Sequence, residues 1–133
     1  MAEAGWAALR DELEADARRV PDRLRGLSQA RLAAPTPPHE SAADAGHAAA
    51  QVLATAAQGL AERSSAREPR WREVPRLSDF AVGDQVAVTA HDLLGELAGC
   101  DPGDPVWAPG TRRTALDVVT SAAATLAATR RLL

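Results

Sequence analysis

Apolar residues in this chain recur at spacings of three and four, and much of the apolar count is alanine. That pairing constrains the fold more than any other feature. The spacing is helical. An alanine contributes only about one methyl group of buried area, at ~25 cal/mol per Å². Helices built this way must pack with their backbones close together around a thin core. A chain of 133 residues has room for one domain, and a small domain with a thin core is marginal alone. The expectation is a single all-α domain over residues 1–133, a four-helix bundle of up-down-up-down order, inclined to self-associate.

Four segments carry the period. The first runs from about Ala4 to Arg25, with Trp6, Leu9, Leu13, Ala17, Val20, Leu24 and Leu27 as its seam. Pro21 sits inside it and predicts a kink, or a break at Val20 followed by a short second helix. Pro35, Pro37 and Pro38 make residues 33–39 an extended connector. The second helix starts near Ser41, with Asp44 in capping-box spacing, and runs to about Ser64. Its expected inner face is Ala45, Ala49, Val52, Ala56 and Leu60, flanked by Leu53.

A long loop follows from Glu68 to Asp79. Its Trp71, Val74 and Leu77 are too apolar for a free loop, so they should be docked. The third helix begins after Ser78 or Asp79 and ends near Leu97, with Val82, Val86, Ala90, Leu93 and Leu97 on one face. Residues 99–110 read as a second long loop, and its Trp107 should also be buried. The fourth helix begins at Thr111 or Thr114 and runs to Leu133, with Leu116, Val119, Ala123, Leu126 and Leu133 inward. Arg130 and Arg131 suit the negative end of its dipole.

Lys, Asn, Ile and Tyr are absent. Their codons are rich in A and T, so the composition points to a high-GC bacterium. All 15 basic residues are therefore Arg by default, and arginine content is no sign of phosphate recognition. The net charge is -3, and basic residues alternate with acids. No basic stripe with interleaved aromatics exists, so a nucleic-acid partner is not expected. No stretch approaches the ~20 apolar residues of a membrane span. The first fourteen residues carry acids where a signal peptide would carry basic residues, so the expected compartment is the cytoplasm.

Candidates for chemistry are few. Glu40, Asp44 and His47 share one helical face, and Asp84 and His91 lie on the next helix with Asp92 adjacent. Carboxylates and imidazoles on facing helices are how bundles build metal sites. Asp44, His47, Asp84 and His91 are therefore the metal-ligand candidates, though the paired Glu-x-x-His signature is missing. His91, beside Ala87 and Leu94, reads as a half-buried structural histidine. Cys100 is the only cysteine, and neighbouring Asp101 disfavours the reactive thiolate. No nucleophile elbow or phosphate loop is present. No catalytic residue and no cofactor is assigned.

The run Phe80-Ala81-Val82-Gly83-Asp84-Gln85-Val86-Ala87-Val88-Thr89-Ala90-His91-Asp92-Leu93-Leu94 resembles a group of small uncharacterised helical proteins from high-GC bacteria. That resemblance implies no activity, but it makes Gly83, Asp84, His91 and Asp92 parts of one motif. Helix count and helix length are similar, more loosely, to DinB-like bundles, which include mycothiol-dependent metalloenzymes. That likeness implies a divalent metal held by histidines, including a pair on the last helix. His47 matches the helix-two ligand, while residues 111–133 hold no histidine. The expected function is non-enzymatic, through a protein surface and most simply a homodimer. The alternatives are a DinB-like metal- or thiol-dependent enzyme with an altered ligand set, and a small-molecule binder that uses the Trp71 and Trp107 loops as a lid.

Overall fold

The structure, a computed structural model, describes residues 2–133. It is mostly helical. Helix α1 (Ala2–Arg25) turns its seam inward: Leu13, Val20 and Leu24 are buried, and Trp6, Leu9 and Ala17 pack against them. Pro21 lies within the helix and does not break it at Val20. A proline removes one intrahelical bond, the one its own N–H would donate to Ala17 O, and the helix runs on one further turn to Arg25. The short helix expected after it forms later, as α2 (Gln29–Ala33), capped by Ser28 Oγ accepting from Arg31 N at 3.2 Å.

Helix α3 (Ala42–Ala61) starts where the sequence reading put it, with Ser41 Oγ accepting from Asp44 N at 3.0 Å. Of its expected inner face, Ala45, Ala49, Ala56 and Leu60 are buried, and only Val52 is not. Leu53 is fully buried, while Val52 is 37% exposed. A 3₁₀ turn at Asp79–Ala81 leads into α4 (Val82–Leu97), whose predicted face is buried throughout. The second loop holds a hairpin that the sequence reading missed. Its strands are β1 (Pro105–Ala108) and β2 (Thr111–Thr114), and Val106 is opposite Arg113. Pro109 and Gly110 make the turn, and Gly110 has the positive φ of 80° that such a turn needs. Helix α5 (Ala115–Leu132) then begins at Thr114, whose Oγ1 accepts from Asp117 N at 3.1 Å.

The long helices α1, α3, α4 and α5 surround one core. Both α4 and α5 pack against α1 and against α3, which sit across from each other. The alternating order expected of consecutive helices is not what forms. The first turns of α3 and α4 meet, since a Cβ at Gly46 would lie 2.8 Å from Val82 Cγ2. Their far ends meet too, with Arg63 Nη2 donating to Gly99 O at 3.1 Å. The two helices are therefore parallel. Arg23 of α1 donates to Leu133 O at the end of α5, and Arg130 of α5 forms an ion pair with Asp16 of α1, so α1 and α5 also run alike. The order is up-down-down-up, and the chain must travel the whole length of α3 to reach the start of α4.

Close approach depends on missing side chains at Gly46 and Gly59. A Cβ at Gly59 would collide with the carbonyl oxygen of Trp107, a rigid backbone atom. A Cβ at Gly95, near the end of α4, meets nothing within 4 Å. The same substitution should therefore have opposite signs. Gly59→Ala is expected to destabilise by about 1–3 kcal/mol, the usual cost of overpacking. Gly95→Ala is expected to stabilise by roughly 0.5–1 kcal/mol through helix propensity. Urea unfolding of the two variants checks both.

Candidate functional site

The chain between α3 and α4 is a strap, laid extended along α3 at residues 67–77. Alternate strap residues are pinned by one polar stripe of the helix. Gln58 Nε2 donates to Arg70 O at 2.8 Å, and its Oε1 accepts from Arg72 N at 3.0 Å. Gln51 Nε2 donates to Arg72 O at 3.1 Å, and its Oε1 accepts from Val74 N at 2.7 Å. His47 Nε2 lies 2.9 Å from Val74 O. Asp44 Oδ1 is 2.8 Å from Arg76 Nη2, which also reaches Asp79 Oδ1 at 3.1 Å. Alternation is the period of extended chain, and positions 44, 47, 51 and 58 share one helical face.

The four metal-ligand candidates are thereby placed. Asp44 and His47 sit side by side, but both hold the strap. A carbonyl only accepts, so His47 Nε2 carries the proton and its lone pair is confined to Nδ1. Asp84 faces α1, where Arg25 Nη2 lies 2.7 Å from its Oδ1. His91 is exposed, which corrects the expectation that it is half-buried. Gly46 is level with Val82, and Arg63 with Gly99, so His47 is level with Gly83 and His91 with Thr55. The two histidines are about 12 Å apart along the bundle at 1.5 Å per residue. Among the described residues, no three of His, Cys, Asp and Glu stand close enough to share a metal ion.

Trp71 and Trp107 are half-buried, in line with the expectation that both loops are docked. Both lie over Gly59. Glu68 joins them: its Oε2 accepts from Trp71 Nε1 at 2.7 Å and from Gly110 N at 2.8 Å. Trp107 Nε1 donates to Ser65 O at 3.1 Å, and Arg112 stacks on its ring at 4.0 Å. The strap is therefore latched to the hairpin as well as to α3. Cys100, buried near this end, has its thiol pKa pushed up by burial. Arg63 offsets part of that rise, and Asp104, Glu96 and Asp101 add to it. Such a thiol is a poor nucleophile at neutral pH.

Where the strap ends, apolar surface is left open. Leu77 is 54% exposed, Phe80 63% and Val88 60%. Leu77 and Val88 line a shallow depression of about 480 Å³ together with Val74, Pro75 and Ala81. The sequence reading also passed over Asp16. It is 7% exposed on α1, with Arg130 Nε of α5 at 2.9 Å and Arg19 Nη1 at 3.7 Å. The Arg130 N–H is off-line, so Asp16 Oδ1 has an ion-pair partner but no hydrogen bond. The signal was a carboxylate on the seam, three residues after Leu13 and four before Val20.

Two tests follow from the strap. Gln51→Ala removes three hydrogen bonds and leaves Val74 N–H without its acceptor. A loss of about 1–3 kcal/mol is expected, with amide exchange accelerated at Val74 but not in the core of α1. The second test is titration of Glu68. The Gly110 N–H and then the Trp71 indole hold its carboxyl below the ordinary value of 4.5, against a small opposing effect of burial. The latch is therefore at full strength above that value and is lost as pH falls through the lowered folded pKa. Trp emission should be flat from neutral pH to about pH 5, then change on further acidification. Glu68→Gln should abolish that step.

Compared with family models, with curated proteins and with solved structures, the chain matches none of them.

Proposed function

We propose that this chain is a non-enzymatic helical-bundle protein that works by pairing with a second copy of itself, through the face made by α4 and the end of the strap. One observation carries the reading: Leu77 and Val88 stand open on one depression, and Phe80, more exposed than either, lies on the 3₁₀ turn that leads into α4. Scattered apolar residues mean little on a protein surface, whereas a gathered patch marks a contact. Phe80, Asp84 and Val88 follow one another at helical spacing and form a single ridge.

A second copy is the occupant that fits. In a two-fold pair the same patch meets itself, so it must be self-complementary. Leu77, Phe80 and Val88 give this patch its apolar surface, and the Arg25–Asp84 ion pair among them supplies both signs of charge. The marginal stability of a small, alanine-rich core favours the same arrangement. The segment that resembles small helical proteins of high-GC bacteria is the 3₁₀ turn and most of α4, the element that carries this ridge. The proposed compartment is the cytoplasm, where a single free cysteine stays reduced. Among the described residues no helix is long and apolar enough to cross a membrane.

Light scattering at micromolar concentration should give twice the mass of one chain. The double substitution Phe80→Asp, Val88→Asp should give a folded monomer, with helical content unchanged because both side chains are exposed. A wild-type monomer throughout the concentration range would overturn the proposal. Stoichiometric zinc uptake that is lost in His47→Gln would favour the DinB-like metalloenzyme instead.

A further inference from the structure

A second concavity lies on another side of α3, away from the exposed α4 ridge. Its walls are Val52 and Ala56 of α3, Val118 and Ala122 of α5, and Trp107 and Pro109 of the hairpin. The hairpin stands over the end of α3 because Gly59 lets the Trp107 carbonyl approach. Val52 is left 37% exposed and Trp107 half-buried beside it. The space is about 230 Å³.

The polar groups around it are not equivalent. Gln51 is spent on Thr55, Arg72 and Val74. Arg112, next to the groove, is spent on Arg63 O and Ser65 O. Arg113 lines the groove and is exposed. Among the described residues it makes no ion pair and no side-chain hydrogen bond. No acid is among the lining residues. One free guanidinium at the lip of an apolar groove is the usual form of a small-ligand site, in which apolar walls give affinity and one polar group fixes orientation.

We propose that this groove binds a small apolar monocarboxylate, its carboxylate on Arg113 and its body between Trp107 and Val52. Guanidinium and carboxylate match as a two-bond fork. The size class follows from the volume. A cavity of about 150 Å³ holds benzene, so this groove accepts a benzoate-sized acid and is short for a long acyl chain. The inference is independent of the self-pairing face, since the two surfaces share no lining residue.

The probe is benzoate, titrated into the full chain and followed by the methyl resonances of Val52 and Val118. Emission of Trp107, in a chain whose other two tryptophans are replaced by Phe, gives a second readout. Saturable shifts with a Kd on the order of 1 mM are expected. Benzyl alcohol, which has the ring without the charge, should bind at least about tenfold more weakly. In Arg113→Gln the two compounds should bind equally weakly. The side chain is exposed, so this variant should fold as the parent does. Absence of saturable shifts with benzoate would overturn the proposal. So would unchanged benzoate binding by Arg113→Gln, because the cation would then not be the recognising group.

Discussion

Two parallel helices that follow one another in sequence cannot be joined by a short turn, and the rest of this structure follows from that constraint. The chain leaves α3 at one end of the bundle and must enter α4 at the other. It does so extended. From Arg70 to Arg76 the strap covers about 20 Å at ~3.3 Å per residue. From Gln58 back to Asp44 the helix covers about 21 Å at 1.5 Å per residue. The near-identity of these lengths keeps alternate strap residues in step with the polar stripe of α3. Buried backbone without a helix or sheet must find partners elsewhere. Gln58, Gln51 and His47 supply them.

A thin core makes the strap more than a connector. Helix α3 buries alanines and two glycines where larger residues would ordinarily stand. The bundle gains close packing from this but little area per residue. The strap adds Val74 and the half-buried Trp71 as a partial outer layer, and Glu68 fastens that layer to the hairpin. The layer stops before Leu77: the Pro75 carbonyl accepts from Gln85 Nε2 of α4 at 2.7 Å, and Val88 beyond it is left uncovered. The open ridge at Phe80 and Val88 is thus a consequence of the strap's length and route.

The helical seams were legible because burial at spacings of three and four leaves a direct mark. Leu13, Val20 and Leu24, and Val82, Val86, Ala90, Leu93 and Leu97, are buried as read, and the Ser41 and Thr114 caps are where they were expected. Direction was not legible, since the same seam serves a helix running either way. The candidate site was half legible. Asp44 and His47 were correctly placed on one face, but the stripe continues through Gln51 and Gln58, and amides are not metal ligands in such bundles. Reading the stripe to its end would have pointed to a backbone partner. His91 was misplaced because its neighbour Ala90 is buried and one residue is about 100° of rotation. The hairpin was missed because four-residue strands around Pro109 and Gly110 carry too little alternation to separate from loop.

The distribution of charge has the same origin as the strap. In parallel neighbours both positive helix ends lie together, and so do both negative ends, which is unfavourable for the dipoles. The side chains offset this at each end differently. Asp44, Asp79 and Asp84 stand at the starts of α3 and α4, and Arg76 and Arg25 bridge them. At the far end the arginines bind carbonyls instead of acids. Arg63 donates to Leu60 O and Gly99 O, and Arg112 to Arg63 O and Ser65 O. Leu60 lies in the last turn of α3, and the other three carbonyls lie in the turns just beyond α3 and α4. The acids gathered at the starts of the parallel pair and the guanidinium groups beyond its far ends each counter the dipole charge there. Arg113 stands outside both sets, with its charge free beside an apolar groove.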